Sequence, residues 1–212
     1  GGVLIDMLHG VYVAESLLGE QFRRVSAALA TRGPDWQVED TAMCRFESDG
    51  RIALVNIGWG HGPGGIVVTG TEGRVEVRYA DGATAPWAML DHVSVTNGDG
   101  TRVVLGPATE RRVGLAEFPS MYAGSRAIIR AFAAAVRGDG APMATGADGL
   151  RMLEATVGAY QSGATGEVVE IPLDRSSPVF LRGAMGVRDL PLAPWSPVAS
   201  GAMFQPTGAE SS

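Results

Sequence analysis

Thr41-Ala42-Met43-Cys44-Arg45-Phe46, then Ser48-Asp49-Gly50, then Ile52-Ala53-Leu54-Val55-Asn56-Ile57: this stretch decides the fold. Two runs suited to extended backbone flank an Asp-Gly pair. Such a pair reverses a chain tightly, because glycine takes a positive φ without a Cβ clash. The spacing therefore predicts an antiparallel hairpin between Glu39 and Gly60. Upstream, Arg23–Thr31 alternates as a strand through Val25, Ala27 and Leu29, and Gly33-Pro34-Asp35 makes a turn. Downstream, Gly64-Gly65 starts a strand over Ile66–Thr69, and Thr71-Glu72-Gly73 turns the chain into Val75–Tyr79. Asn97-Gly98-Asp99-Gly100 then joins Val93–Thr96 to Arg102–Leu105. Consecutive hairpins without intervening helices predict a predominantly antiparallel sheet of about six or more strands.

The hydrophobic period then changes. Ser125 caps an expected helix whose apolar face is Ile128, Ile129, Phe132, Ala133 and Val136, ended by Gly138. Thr145-Gly-Ala-Asp148 resembles a capping box at the start of a second helix, which runs through Leu150, Leu153, Val157 and Tyr160 to Gly163. A last strand follows over Glu167–Ile171. The outline predicts a two-layer α+β domain over residues 1–172, with helices on one face of the sheet. The other face is left available for a homo-oligomer interface. Residues 173–212 read as a Pro/Gly-rich extension in which Val179-Phe180-Leu181 and Pro194-Trp195 drape over the body and the end is disordered.

With 212 residues, 45% of them apolar and 19% charged, the chain suits a globular protein. It has no apolar run of the roughly 18 residues that cross a bilayer. The single cysteine, Cys44, excludes an internal disulfide and fits a reducing, cytoplasmic setting; its alternating apolar surroundings make it a buried structural thiol. All 17 basic residues are arginine, so lysine chemistry cannot come from this chain. The net charge is −6 and the arginines are scattered, which argues against a nucleic-acid partner.

Gly1-Gly-Val-Leu-Ile-Asp6-Met-Leu-His9-Gly-Val-Tyr12-Val-Ala-Glu15-Ser-Leu-Leu-Gly19 reads as an apolar helix with Gly19 as its C-cap. Asp6 and His9, three residues apart, share a face of it. A histidine oriented by a carboxylate can exchange protons near neutral pH. The other reading of the same pair is an N-cap aspartate and a partly buried histidine.

Three stretches together resemble the C-terminal half of the Gfo/Idh/MocA oxidoreductases. One is Gly1-Gly-Val-Leu-Ile-Asp6, His9 and Leu17-Leu-Gly19. Another is Val38-Glu39-Asp40-Thr41-Ala42 with the Ser48-Asp49-Gly50 turn, Gly58-Trp59, and Val68-Thr69-Gly70-Thr71-Glu72-Gly73. The last is Phe132-Ala-Ala-Ala-Val136-Arg-Gly138, Pro142, Thr145, Asp148-Gly149 and Ser162-Gly163. The resemblance implies a parent with an N-terminal Rossmann domain that binds NAD or NADP and supplies a Glu-Lys-Pro lysine. This chain would then be the substrate side and oligomer interface, inactive alone. The small-molecule substrate would be a sugar, polyol or related hydroxy compound. His9 matches the family's catalytic histidine, and Asp6 the aspartate that orients it or binds a hydroxyl. The family spaces that pair by four residues, and here the gap is three, which affects Asp6 more than His9. Tyr12 stands where relatives carry Asp or Tyr, as a substrate hydrogen bond or a core residue, and Trp59 and His61 lie where the family's substrate loop runs, as substrate contacts or a surface turn.

Other features are read structurally. Gly58-Trp-Gly60-His61-Gly62-Pro-Gly64-Gly65 lies between strands, so it is a bend and not a phosphate cradle. His92, beside Asp91, is structural, and Glu39-Asp40 is turn chemistry, since adjacent strand residues point apart. Two further readings stand beside the dehydrogenase: an NAD-dependent glycoside-cleaving relative, and a non-catalytic sensor or interaction module of the same fold.

Overall fold

The computed structural model describes residues 2–32, 36–60, 64–79, 90–105 and 120–203. In chain order come α1 (Val3–Asp6), α2 (His9–Leu18), β1 (Arg24–Ala30), β2 (Thr41–Ser48), β3 (Arg51–Gly58) and β4 (Gly65–Gly70). Then follow β5 (Gly73–Tyr79), β6 (Leu90–Asn97), β7 (Arg102–Leu105), α3 (Ser120–Arg137), α4 (Gly146–Thr165), β8 (Val169–Glu170) and α5 (Pro178–Arg182). These are divided between two compact units, residues 1–59 with 146–212, and residues 60–145. The class is α+β with antiparallel strands, as expected. The eight strands form two four-stranded sheets, β3-β2-β1-β8 and β4-β5-β6-β7.

The first unit grows from the hairpin. Ser48 pairs with Arg51, so Asp49 and Gly50 alone make the turn, and Gly50 takes a φ of +77°. Alternation then sorts the side chains: Val25, Leu29, Ala42, Cys44, Phe46 and Ile57 are buried. Met43, Ile52 and Leu54 on the opposite face are 56%, 55% and 79% exposed. Burial, with the Glu39 charge adding to it, pushes the Cys44 thiol up to about 12, so it stays a neutral apolar filler. Helices α1, α2 and α4 cover the buried face. The opening helix is broken: Met7 (φ −105°, ψ 25°) ends α1, α2 restarts at His9, and Gly19 closes it at φ +70°.

Helix α4 lies close on β1 through small residues. Ser162 Oγ accepts the Ala27 N–H at 2.9 Å and donates to the Glu167 carbonyl at 2.6 Å. A methyl added at Gly163 would lie 2.6 Å from Leu29 Cγ. Gly163→Ala is therefore expected to lower stability by about 1–3 kcal/mol through overpacking, despite alanine's better helix propensity. Chemical denaturation reads this directly, and an unchanged midpoint would contradict the close approach. Residues 173–203 join the same core: Leu173, Val179, Val187, Val198 and Met203 are buried. Ser177 caps α5, accepting the Phe180 N–H at 3.2 Å with Pro178 in the first turn.

In the second unit, Ile66, Val68, Val75, Val77, Val93, Val95 and Val103 share one face of the sheet by register. The other face carries Arg74, Glu76, Arg78, Ser94, Thr96 and Arg102, with Glu76 3.6 Å from Arg74 and 2.7 Å from Arg78. Helix α3 starts at Ser120, so Ser125 lies within it and is not its cap. Its Ile128, Ile129, Phe132 and Val136 are all exposed. His92 sits on β6, paired with Arg78. Among the described residues no helix is long and apolar enough to cross a membrane.

Candidate active site

Glu39 fixes the start of α1. Its carbonyl accepts the Val3 N–H at 3.0 Å, and its Oε1 accepts the Leu4 N–H at 2.9 Å. Together these satisfy amides that a helix N-terminus leaves without partners. Tyr160 on α4 donates its hydroxyl to the same Oε1 at 2.5 Å. Glu39 and Tyr160 are 0% and 1% exposed, and among the described residues Glu39 Oε2 is buried without a hydrogen-bond partner. Burial holds the Glu39 carboxyl above the ordinary glutamate range, against the lowering effect of its hydrogen bonds from Tyr160 and Leu4. Burial, the Glu39 charge and that hydrogen bond push the Tyr160 hydroxyl up. Position 2 must be glycine, because any Cβ there would fall inside the Glu39 carboxylate.

Anchored this way, α1 carries Asp6 to the surface, where Asp6 Oδ2 accepts Trp59 Nε1–H at 3.0 Å. Trp59 is placed in turn by Asp40. The Trp59 N–H donates to the Asp40 carbonyl at 3.0 Å, and the Trp59 carbonyl accepts from Arg32 Nη2 at 3.3 Å. The Asp40 carboxylate, 3% exposed, accepts the Arg32 N–H at 2.8 Å, Arg32 Nε–H at 3.4 Å and the Thr41 hydroxyl at 2.8 Å. Trp36 meets Trp59 edge to face, with ring centroids 5.2 Å apart and planes at 83°.

His9 opens α2 with an exposed side chain. A Cβ on its neighbour Gly10 would lie 3.6 Å from Ile57 Cδ1, whereas at the other end of α2 Arg51 donates to the Leu18 carbonyl. The helix therefore runs antiparallel to β3 and sets His9 at the end of β3 that leads into Trp59. Among the described residues no hydrogen bond joins Asp6 to His9; the Met7–Leu8 break separates them, and Asp6 turns to the indole. Tyr12 lies one turn further on α2, half-buried against the core. His61 lies outside the described residues.

The sequence singles out His9, Asp6 and Trp59 as candidates but not the residues that hold α1 and Trp59 in place. In it Glu39-Asp40 reads as turn chemistry. The two side chains do point apart, yet each is a buried organiser, one of α1 and the other of Trp59 and Arg32. Trp36, just past Gly33-Pro34-Asp35, whose expected turn lies outside the described residues, carries no periodic signal. The glycine-rich stretch links β3 to β4 through Gly60 at φ +74°, and no described helix opens from it. Among the described residues, no three His, Cys, Asp or Glu side chains converge as a metal site.

The GFO/IDH/MocA C-terminal domain family matches residues 1–76. No curated protein matches the chain. Among solved structures, the WlbA dehydrogenase from Bordetella pertussis, in complex with NADH and UDP-GlcNAcA, is 22% identical over 82% of this chain and 49% of its own, with a TM-score of 0.62. The aldose-aldose oxidoreductase from Caulobacter crescentus, complexed with glycerol, is 20% identical over 77% and 45%, with a TM-score of 0.61. An oxidoreductase from Agrobacterium radiobacter, with NAD+, L-tartaric acid and magnesium, is 20% identical over 77% and 47%, with a TM-score of 0.57. The chain spans about half the length of these structures, and the likeness is one of fold.

Proposed function

We propose, from the match of residues 1–76 to the GFO/IDH/MocA C-terminal domain family, that this chain is the substrate-binding and oligomerisation half of an NAD(P)-dependent oxidoreductase. The substrate is a sugar, polyol or related hydroxy compound. The observation that supports the reading is the Asp6–Trp59 hydrogen bond, with α1 fixed by Glu39 and Trp59 by Asp40, beside the end of β3 toward which the head of α2 carries the exposed His9.

A nicotinamide dinucleotide, bound by a Rossmann domain outside this chain, supplies hydride exchange at carbon. The chain's own residues do the rest. His9 takes the proton of the substrate hydroxyl during oxidation and returns it during reduction, for which its exposed imidazole is suited. Asp6 accepts a hydrogen bond from a neighbouring hydroxyl, and its link to Trp59 fixes its rotamer. Tyr12 contributes a further contact one turn away, and His61, two positions after Trp59 in sequence, is a further substrate contact. The open sheet face carrying Met43, Ile52 and Leu54 is the surface that pairs subunits.

A panel of aldoses, polyols and hydroxy acids, offered with NAD+ and NADP+ to the full-length protein, tests this reading by absorbance of the reduced dinucleotide. Turnover of at least one sugar or polyol is expected. Absence of turnover across the panel would overturn the dehydrogenase. It would favour a non-catalytic module, the reading supported by the missing Asp6–His9 hydrogen bond.

A further inference from the structure

We propose that Trp36, Trp59, Asp6 and Arg32 form a pyranose-binding subsite, so that the site selects ring-closed sugars over open-chain polyols. The inference rests on the reading that this domain binds a sugar-like substrate, and it adds which form of sugar and which residues choose it.

The argument begins with an aromatic corner outside the core. Trp36 is 45% exposed and meets Trp59 at 83°, so two indole planes stand nearly perpendicular beside solvent. An indole face is electron-rich and attracts partly positive C–H hydrogens. A pyranose ring offers such hydrogens as a flat, persistent patch because ring closure fixes its axial C–H bonds. An acyclic polyol presents them only fleetingly and must be ordered first, which weakens binding.

The polar groups beside the corner match the rest of a sugar. A hydroxyl both donates and accepts, so it is best held between an acceptor and a donor. Among the described residues Asp6 is engaged through Oδ2, on Trp59, which leaves Oδ1 to accept. Arg32 holds Asp40 through Nε and Trp59 through Nη2, and among the described residues its Nη1 has no partner. Its side chain is 59% exposed, so this donor reaches solvent. The corner is also pre-organised. Trp59 is fixed at its N–H, its carbonyl and its indole nitrogen, at 3.0, 3.3 and 3.0 Å. Sites fixed before the ligand arrives lose less on binding. Nothing in the core needs Trp36: it packs edge-on against Trp59 and is absent from the buried cluster.

The test is titration calorimetry of the full-length protein with methyl glucopyranoside, methyl galactopyranoside, methyl mannopyranoside and sorbitol, run beside the turnover panel. The best pyranoside is expected to bind at least about tenfold more tightly than sorbitol. Trp36→Ala is expected to erase that preference by weakening the pyranoside about tenfold while leaving sorbitol unchanged. Trp36→Phe, which keeps an aromatic face, retains most of the preference and controls for folding. Equal affinity for sorbitol, an undiminished preference in Trp36→Ala, or no pyranoside binding would each overturn the subsite. Pyranoside binding without turnover defeats the dehydrogenase and leaves the subsite standing. Turnover with no effect of Trp36→Ala does the reverse.

Discussion

His9→Ala is expected to lower kcat on the best substrate about a hundredfold, a loss of roughly 2.7 kcal/mol in transition-state stabilisation. The residue sits on the surface at the head of α2 and contributes nothing to the buried core, so the variant should fold normally. A positional role and a proton-transfer role predict different rescue. If His9 moves the hydroxyl proton, added imidazole restores part of the rate to the alanine variant, whose gap admits it. The His9→Gln variant, with the gap filled, stays slow. KM should change little, because an interaction made in the transition state reduces kcat and kcat/KM together. A near wild-type rate in His9→Ala would end its assignment as the acid–base group.

The largest effect on stability is expected at Glu39. Glu39→Ala removes the buried carboxylate that accepts the Leu4 N–H and the Tyr160 hydroxyl, and should cost about 3 kcal/mol. For a chain of this length that corresponds to a fall in Tm of roughly 10 °C. Glu39→Gln separates charge from contact. Because burial raises the carboxyl's pKa in the folded state, the native protein holds this proton more tightly than the unfolded chain. The linked stability is therefore fully present below the ordinary glutamate value of 4.5 and is lost as pH rises through the raised folded value. The glutamine variant has no such loss, so its stability relative to the native protein should improve from acid toward neutral pH. Denaturant midpoints at several pH values read the difference; parallel profiles would mean that Glu39 titrates as an ordinary surface carboxyl.

The hairpin Thr41–Gly58 was legible because two local signals agree, side-chain alternation and an Asp-Gly turn with glycine at positive φ. The C-cap at Gly19 was legible for a similar reason. The break at Met7–Leu8 was not. Val3 through Leu8 is suited to continuous helix, and what ends α1 is not in that run: its start is held by a glutamate 35 positions away in sequence. The division of eight strands between two sheets was hidden by the same kind of distance, since β8 returns to β1 from beyond two long helices. The site divided along the same line. His9, Asp6 and Trp59 lie in stretches that resemble a family pattern, so the sequence alone singles them out. Arg32 and Trp36 gain their meaning only once Asp40 folds its loop against the end of β3.

Strand β8 pairs with β1 at only Arg24 and Val25, so the rim of that sheet would soon run out of partners. Ser162 takes the next inward amide, that of Ala27, onto its hydroxyl. A helix side chain thus stands in for a missing strand, and it denies a foreign peptide the docking ladder along which proteins of this kind otherwise stack into aggregates.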